Sequence, residues 1–446
     1  MRVRPELGGI EKFLGLFTEV RRGETAAALL LTLNIFLILT AYYIMKPVRE
    51  ALILATGGAE LKSYMNPIQM GIFLFYVPLY AKLASILPRR RLLNYVTLFF
   101  VACLAAFFLL GRMNAPLGVA FYLWIGIFNI SVVAQFWSFA NDVYTPEQGK
   151  RLFVIVAFGQ SAGAVLGPQI ASVLIEPLGA YQLLLVSGLV LGLSLFATNA
   201  VESRGSGATG AAGSTPSVPP KEEPMGREGA YKLVFGSGYL LAIAMLILFL
   251  NWVNTNGEYI LGRVVTAAAE AAVEADPSID MEIYIGKFYA DFFKIVNIVG
   301  LLVQLLLVSR ILKYLGVRVA LLVLPIIAFA GYALAAVYPV LGMIRWIKTA
   351  ENATDYSLQN TLRGVLFLPT TREEKYKAKQ AIDTLFVRAG DLLSTALVLL
   401  GTAILAFRTE HFAMVNLGLL VVWIVLAIRI GRRFLRMTQE STQRER

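Results

Sequence analysis

Apolar residues along this chain fall in long blocks separated by short polar turns. A helix that crosses a bilayer needs roughly 20 mostly apolar residues. Twelve stretches have that length or nearly so, with limits near 25–46, 65–87, 92–111, 115–142, 152–175, 178–199, 235–257, 288–309, 317–337, 338–358, 380–406 and 411–435. The tenth is the least apolar, because Arg345, Lys348, Glu351 and Asp355 interrupt it. The pattern predicts an all-α polytopic membrane protein with twelve transmembrane helices. Residues 202–230 break the pattern with a run rich in Gly, Ser and Pro, which cannot bury a core. The expected organisation is a cytoplasmic N-terminal segment (1–24), a six-helix bundle (25–200), a flexible cytoplasmic linker (201–232), a second six-helix bundle (233–436) and a cytoplasmic tail (437–446).

The two halves echo one another. Leu87-Pro88-Arg89-Arg90-Arg91 follows the second span, and Arg310 to Arg318 follows the eighth. The fourth span ends Ser138-Phe-Ala-Asn141 and the tenth Ser357-Leu-Gln-Asn360. Six plus six spans around a long central loop is a major-facilitator-like plan, in which the substrate path lies between the halves near the midplane.

Charge sets the expected orientation. With the N-terminus inside, 29 Lys and Arg residues fall on the cytoplasmic side, 7 on the opposite side and 4 within spans. Basic loops stay inside, so both termini are expected in the cytoplasm, with a bacterial inner membrane as the expected location. The first 24 residues contain no long apolar run, so no cleaved signal peptide is expected. Charged residues make up 15% of the chain, against about 25% in soluble domains. The net charge of +11 reads as topology and anionic-lipid contact rather than nucleic-acid binding. One cysteine and one histidine exclude a disulfide framework and a His-rich metal site, and no cofactor is expected.

Ionisable side chains within spans are costly unless they pair or face water, so they carry the functional signal. Lys46, Arg49 and Glu50 fall at i, i+3 and i+4 on one helix face. They read either as an interfacial cluster neutralised by Glu50 or as a cationic gate. Asn251, Asn254, Asn256 and Glu258 lie late in the seventh span. Asp291 and Lys294 in the eighth read as a structural pair. Arg345, Lys348, Asn352, Asp355 and Gln359 advance by three or four, forming a polar stripe that faces the inter-half cavity or lies at a surface. Arg388 and Asp391 in the eleventh are spaced to pair. Arg forks and Lys point charges converging on one cavity suit a multiply charged anion. Tyr42, Tyr43, Tyr76, Tyr80, Phe136, Trp137 and Tyr356 are placed either to stack on a base or to anchor the membrane interface.

Three segments resemble the ATP/ADP translocase family of plastids and obligate intracellular bacteria. Lys46-Pro-Val-Arg49-Glu50-Ala-Leu52 resembles its Lys-x-x-Lys-Asp-x-Leu pattern at the end of span one. Phe136-Trp137-Ser-Phe139-Ala140-Asn141, with Lys150-Arg151-Leu-Phe153 and Phe158-Gly159, is similar to its second run. Tyr356-Ser357-Leu358, then Arg363, Pro369, Glu373, Lys375, Lys377, Lys379, Ala381 and Asp383, is similar to its third. Glu258 sits where the family has an acidic residue. The resemblance implies twelve spans and nucleotide exchange. Two departures stand out: Gly364 replaces an acid after Arg363, and Asp391 stands where the family has lysine.

The residues expected to bind substrate are Lys46, Arg49, Glu50, Asn141, Glu258, Arg345, Lys348, Asp355, Asn360, Arg363, Arg388 and Asp391. The expected cargo is ATP, ADP or another phosphate-bearing anion, moved by antiport in the lipid bilayer. A proton-coupled transporter of another organic anion, using Asp391, and a non-transporting scaffold or sensor are the competing readings. No GxxxxGK[ST] phosphate loop is present, so an enzyme is not expected, and no obligate protein partner is evident.

Overall fold

The computed structural model describes residue 18 and residues 24–208, 229–371 and 373–444. Helices make up its regular structure: α1 (Thr25–Ile86), α2 (Arg89–Arg112), α3 (Gly118–Val143), α4 (Pro146–Leu178), α5 (Ala180–Ala208), α6 (Ala230–Gly236), α7 (Gly238–Ala275), α8 (Met281–Tyr314), α9 (Gly316–Val337), α10 (Leu341–Thr354), α11 (Asn360–Val365), α12 (Lys379–Ala403) and α13 (Thr409–Arg444). Single π-helical turns interrupt α3 at Asn129–Val133 and α8 at Gln304–Val308, and join α10 to α11 at Asp355–Gln359.

Among the described residues ten helices are long and apolar enough to cross a membrane. Helix α1, at 62 residues, would extend about 93 Å as a straight helix, against a hydrocarbon core of about 30 Å. It breaks at Gly57 and Gly58, where Gly58 takes φ +68°, a left-handed conformation that glycine adopts without steric cost. The break separates the first two expected spans. Helix α10, within the tenth expected span, is 14 residues long, carries Arg345, Lys348 and Glu351, and is not among the ten.

Local chemistry places the ends. Leu87 before Pro88 is extended, as a pre-proline residue prefers, and ends α1. Thr145 caps α4 in a capping box with Gln148, and Pro146 occupies the first helical position. Helix α5 runs to Ala208, past the boundary expected at 200, and Glu202 on this extension pairs with Arg89 at 2.7 Å. Helix α13 continues to Arg444 through the expected tail. Most of the expected linker and N-terminal segment lies outside the described residues.

By compactness the chain forms two units. The first holds Met1–Thr56, Gly71–Ser217 and Ser278–Lys294; the second holds Gly57–Met70, Val218–Pro277 and Ile295–Arg446. The units follow sequence order except for two exchanged segments, residues 57–70 and 278–294.

In the first unit, α1 and α4 meet backbone to backbone. Cβ atoms built at Gly163 and Gly167 would lie 2.5 Å from the Phe36 carbonyl oxygen and 2.7 Å from that of Thr40. Small residues one turn apart allow this approach. A ring cluster of Phe100, Phe107, Phe121, Trp124 and Phe128 joins α2 to α3. In the second unit α7 is the hub, packing against α10, α12 and α13.

Candidate functional site

Each unit gathers its ionisable residues in separate groups. In the first, Lys46 is 9% exposed on α1, and its Nζ sits 4.3 Å from the Phe293 ring centroid and 4.9 Å from that of Tyr43. Arg49 lies over Tyr122 at 5.4 Å and donates through Nε to Glu50 Oε1 at 3.0 Å. Glu50 is buried, so the pair forms inside the unit rather than in solvent. Glu50 is thus the acid that meets Arg49. Phe293 and Tyr122, which complete its aromatic setting, carry no signal in the local sequence.

Asp291 and Lys294 pair at 2.7 Å, and Asp291 also accepts from the Ser172 hydroxyl at 2.6 Å. Lys287 donates to the Ser172 carbonyl at 2.6 Å. These contacts fasten the first part of α8 to α4.

Asn141 lies exposed near the end of α3, beside Asp142, which pairs with Arg89 at 3.6 Å. The motif around it ties helices together. Arg151 donates twice to Glu24, at 3.0 and 3.2 Å, and Trp137 meets Phe153 edge-on. Tyr144, in the turn between α3 and α4, is buried, and burial with the nearby Glu24 carboxylate pushes its phenol above the ordinary range.

In the second unit, polar residues of α7 divide by helix face and depth. Asn254 and Glu258, four residues apart, both reach α10. Lys348 Nζ lies 2.9 Å from Asn254 Oδ1, 3.1 Å from Glu351 Oε2 and 3.4 Å from Glu258 Oε1. Asn352 donates to Glu258 at 3.0 Å. The stripe on α10 is therefore turned into the second unit, with Lys348, Asn352 and Gln359 buried. Arg345 is half-buried one turn from Lys348. Asp355 pairs with Arg363 at 3.5 Å. Asn251 and Thr255 donate to Asp391 Oδ1 at 2.7 and 2.8 Å, while Arg388 meets its other oxygen at 3.2 Å. Asn256, on the opposite face, bonds Asn416. Asn360 and Tyr356 are exposed.

The residues expected to bind substrate thus gather as Lys46–Arg49–Glu50, Glu258–Lys348, Asp355–Arg363 and Arg388–Asp391. Asn141 and Asn360 are exposed. Glu351 and Tyr332, which are not among the residues expected to bind substrate, join the Lys348 group. The available signal was the i, i+3 spacing of Lys348 and Glu351.

An all-helical, multi-pass fold of this kind is shared with solved transporters. The chain matches a crystal structure of the peptide transporter POT in complex with sulfate, at TM-score 0.64 and 12% identity over 97% of this chain and 99% of that one. It matches a bacterial homologue of the iron transporter ferroportin in its inward-facing state at TM-score 0.62 and 14% identity, over 91% and 98%. The architecture is major-facilitator-like and that of a multi-pass membrane protein.

The family model described as TLC ATP/ADP transporter matches residues 8–111, which include the Lys46–Leu52 segment. The chloroplastic ADP,ATP carrier protein 2 of Arabidopsis thaliana is 22% identical over 495 aligned positions, covering 93% of this chain and 76% of that protein. The similarity to this family is thus confined to residues 8–111 in the family model and is distant over the rest of the chain.

Proposed function

We propose that this transporter exchanges nucleotides of the ATP and ADP type across the membrane by alternating access. The observation that carries the reading is the Lys46–Arg49 group, two cations held among Tyr43, Phe293 and Tyr122 inside the family-matched region. Cations recognise phosphate oxygens, and the neighbouring rings offer faces to a base. The relative's name, an ADP,ATP carrier, points the same way. In this reading both termini face the cytoplasm of a bacterial cell. Asp391, on which the competing proton-coupled reading depends, is held by Asn251, Thr255 and Arg388.

Ligand that binds only the folded state raises the unfolding temperature by mass action. ADP and ATP are expected to stabilise the purified protein in detergent, with adenosine and a dipeptide giving no shift. Stabilisation by the dipeptide with none by either nucleotide would reject the reading.

A further inference from the structure

Helices α2 and α5 of the first unit leave an apolar groove between them. Its volume is about 420 Å³, and Leu98, Val101 and Ala105 of α2 line it with Leu189, Gly192 and Phe196 of α5. Two glycines one turn apart on α5 keep it open. A Cβ at Gly188 would meet Leu104 at 3.7 Å, and one at Gly192 would stand in open space. From Leu184 to Phe196 the groove follows α5 for about 18 Å. That is close to the depth of one leaflet, half of a hydrocarbon core of about 30 Å.

The groove ends in a polar cluster. Asn94, one turn before Leu98, donates to Asn199 Oδ1 at 3.2 Å, and Asn199, three residues past Phe196, donates back at 3.3 Å. Arg90 donates through Nε to the same Asn199 oxygen at 3.1 Å, which brings its guanidinium to the mouth between the two helices. Arg89 is neutralised by Glu202 at 2.7 Å and Asp142 at 3.6 Å. Among the described residues, by contrast, the terminal nitrogens of Arg90 and the exposed side chain of Arg91 meet no acid or acceptor. Arg91 lies two turns before Leu98, on the same face of α2. No side chain caps the first turn of α2, whose free amides add positive partial charge at this end.

We propose that the α2–α5 groove binds a phospholipid of net negative charge, with one acyl chain between the helices and the phosphate against Arg90 and Arg91. The outer face of a multi-pass protein is bathed in lipid, so acyl chains already surround the groove. A guanidinium fork meets phosphate oxygens bidentately, and basic pockets between membrane helices suit anionic headgroups. A zwitterionic headgroup fits less well, because its ammonium would stand beside Arg91 and be repelled. A second copy of this chain also fits less well. Close helix approach relies on small residues, yet Leu189 and Phe196, 67% and 75% exposed, flank the glycines and would meet an incoming helix first. Nothing in the site depends on which cargo is carried.

The test uses the full chain, delipidated in detergent and titrated with dioleoyl phosphatidylglycerol or dioleoyl phosphatidylethanolamine. Native mass spectrometry reads bound lipid and oligomeric state. Phosphatidylglycerol is expected to bind about tenfold more tightly, the effect of one hydrogen bond to a charged group. Arg91→Gln alters a side chain without a structural contact and is expected to erase that preference. Arg432→Gln, which removes the same charge from an exposed position on α13, should leave it intact. Gly192→Leu fills the groove and should weaken both lipids alike. Equal affinity for the two lipids, or equal losses in Arg91→Gln and Arg432→Gln, assigns binding to general surface charge and overturns the site. Unchanged binding in a folded Gly192→Leu protein overturns the groove as the chain's seat. Displacement of the lipid by an equal concentration of inorganic phosphate overturns it in favour of an anion site without a chain. Lipid-free dimers abolished by Gly192→Leu overturn it in favour of a second copy. If Gly192→Leu does not fold, the two arginine variants decide.

Discussion

Replacing Lys348 by methionine is expected to destabilise the folded protein by about 3–5 kcal/mol, the range for removing one partner of a buried ion pair. The loss comes less from the missing attraction than from what remains, since Glu351 and Glu258 would keep their positions at α7 and α10 without the ammonium between them. Methionine fills nearly the same volume, so packing changes little. The double variant Lys348→Met with Glu351→Gln is expected to recover part of the loss, because it removes one of the stranded carboxylates. Thermal unfolding of the four proteins in one detergent gives the coupling between the two positions. A Lys348→Met protein that unfolds with the wild type would show that Lys348, Glu258 and Glu351 do not carry charge in the folded state.

Lys46→Gln is expected to weaken nucleotide binding by about tenfold to a hundredfold, the effect of losing one hydrogen bond to a charged group worth about 1.5–3 kcal/mol. Glutamine keeps a polar head on a shorter stem among Tyr42, Tyr43 and Phe293 but carries no charge. Lys46→Arg keeps the charge and should retain more affinity than Lys46→Gln. Titration of labelled ADP into the purified variants reads the difference directly. Equal affinity in Lys46→Gln and wild type would remove Lys46 from the substrate contacts.

Much of this architecture was legible in residue order because the bilayer imposes a simple code. Blocks of apolar residues indicate the helices, and spacing by three indicates the ion pairs Asp291–Lys294 and Arg388–Asp391 within one helix. Contacts between helices were not legible. Nothing near Lys46 indicates that Phe293 covers it, and nothing near Lys348 distinguishes Glu258 as its partner from any other acid.

Register was a further limit. A π-helical turn inserts an extra residue, so the 3.6-residue period that placed Asp355 to Gln359 on one stripe shifts across that segment. The exchanged segments, residues 57–70 and 278–294, were equally hidden, because unit membership depends on long-range packing. The segment around Asn141 also carries packing contacts that its residue order does not reveal. Its aromatic and basic residues pack α1, α3 and α4 together, while Asn141 itself stays exposed.

The most direct measurement is uptake of labelled ATP into proteoliposomes containing the purified protein, compared with and without ADP inside. A nucleotide exchanger fills the ADP-loaded vesicles and leaves the empty ones near background, and unlabelled ATP or ADP outside competes with the label. Equal uptake into both would contradict obligate exchange, and no uptake into either would contradict nucleotide transport.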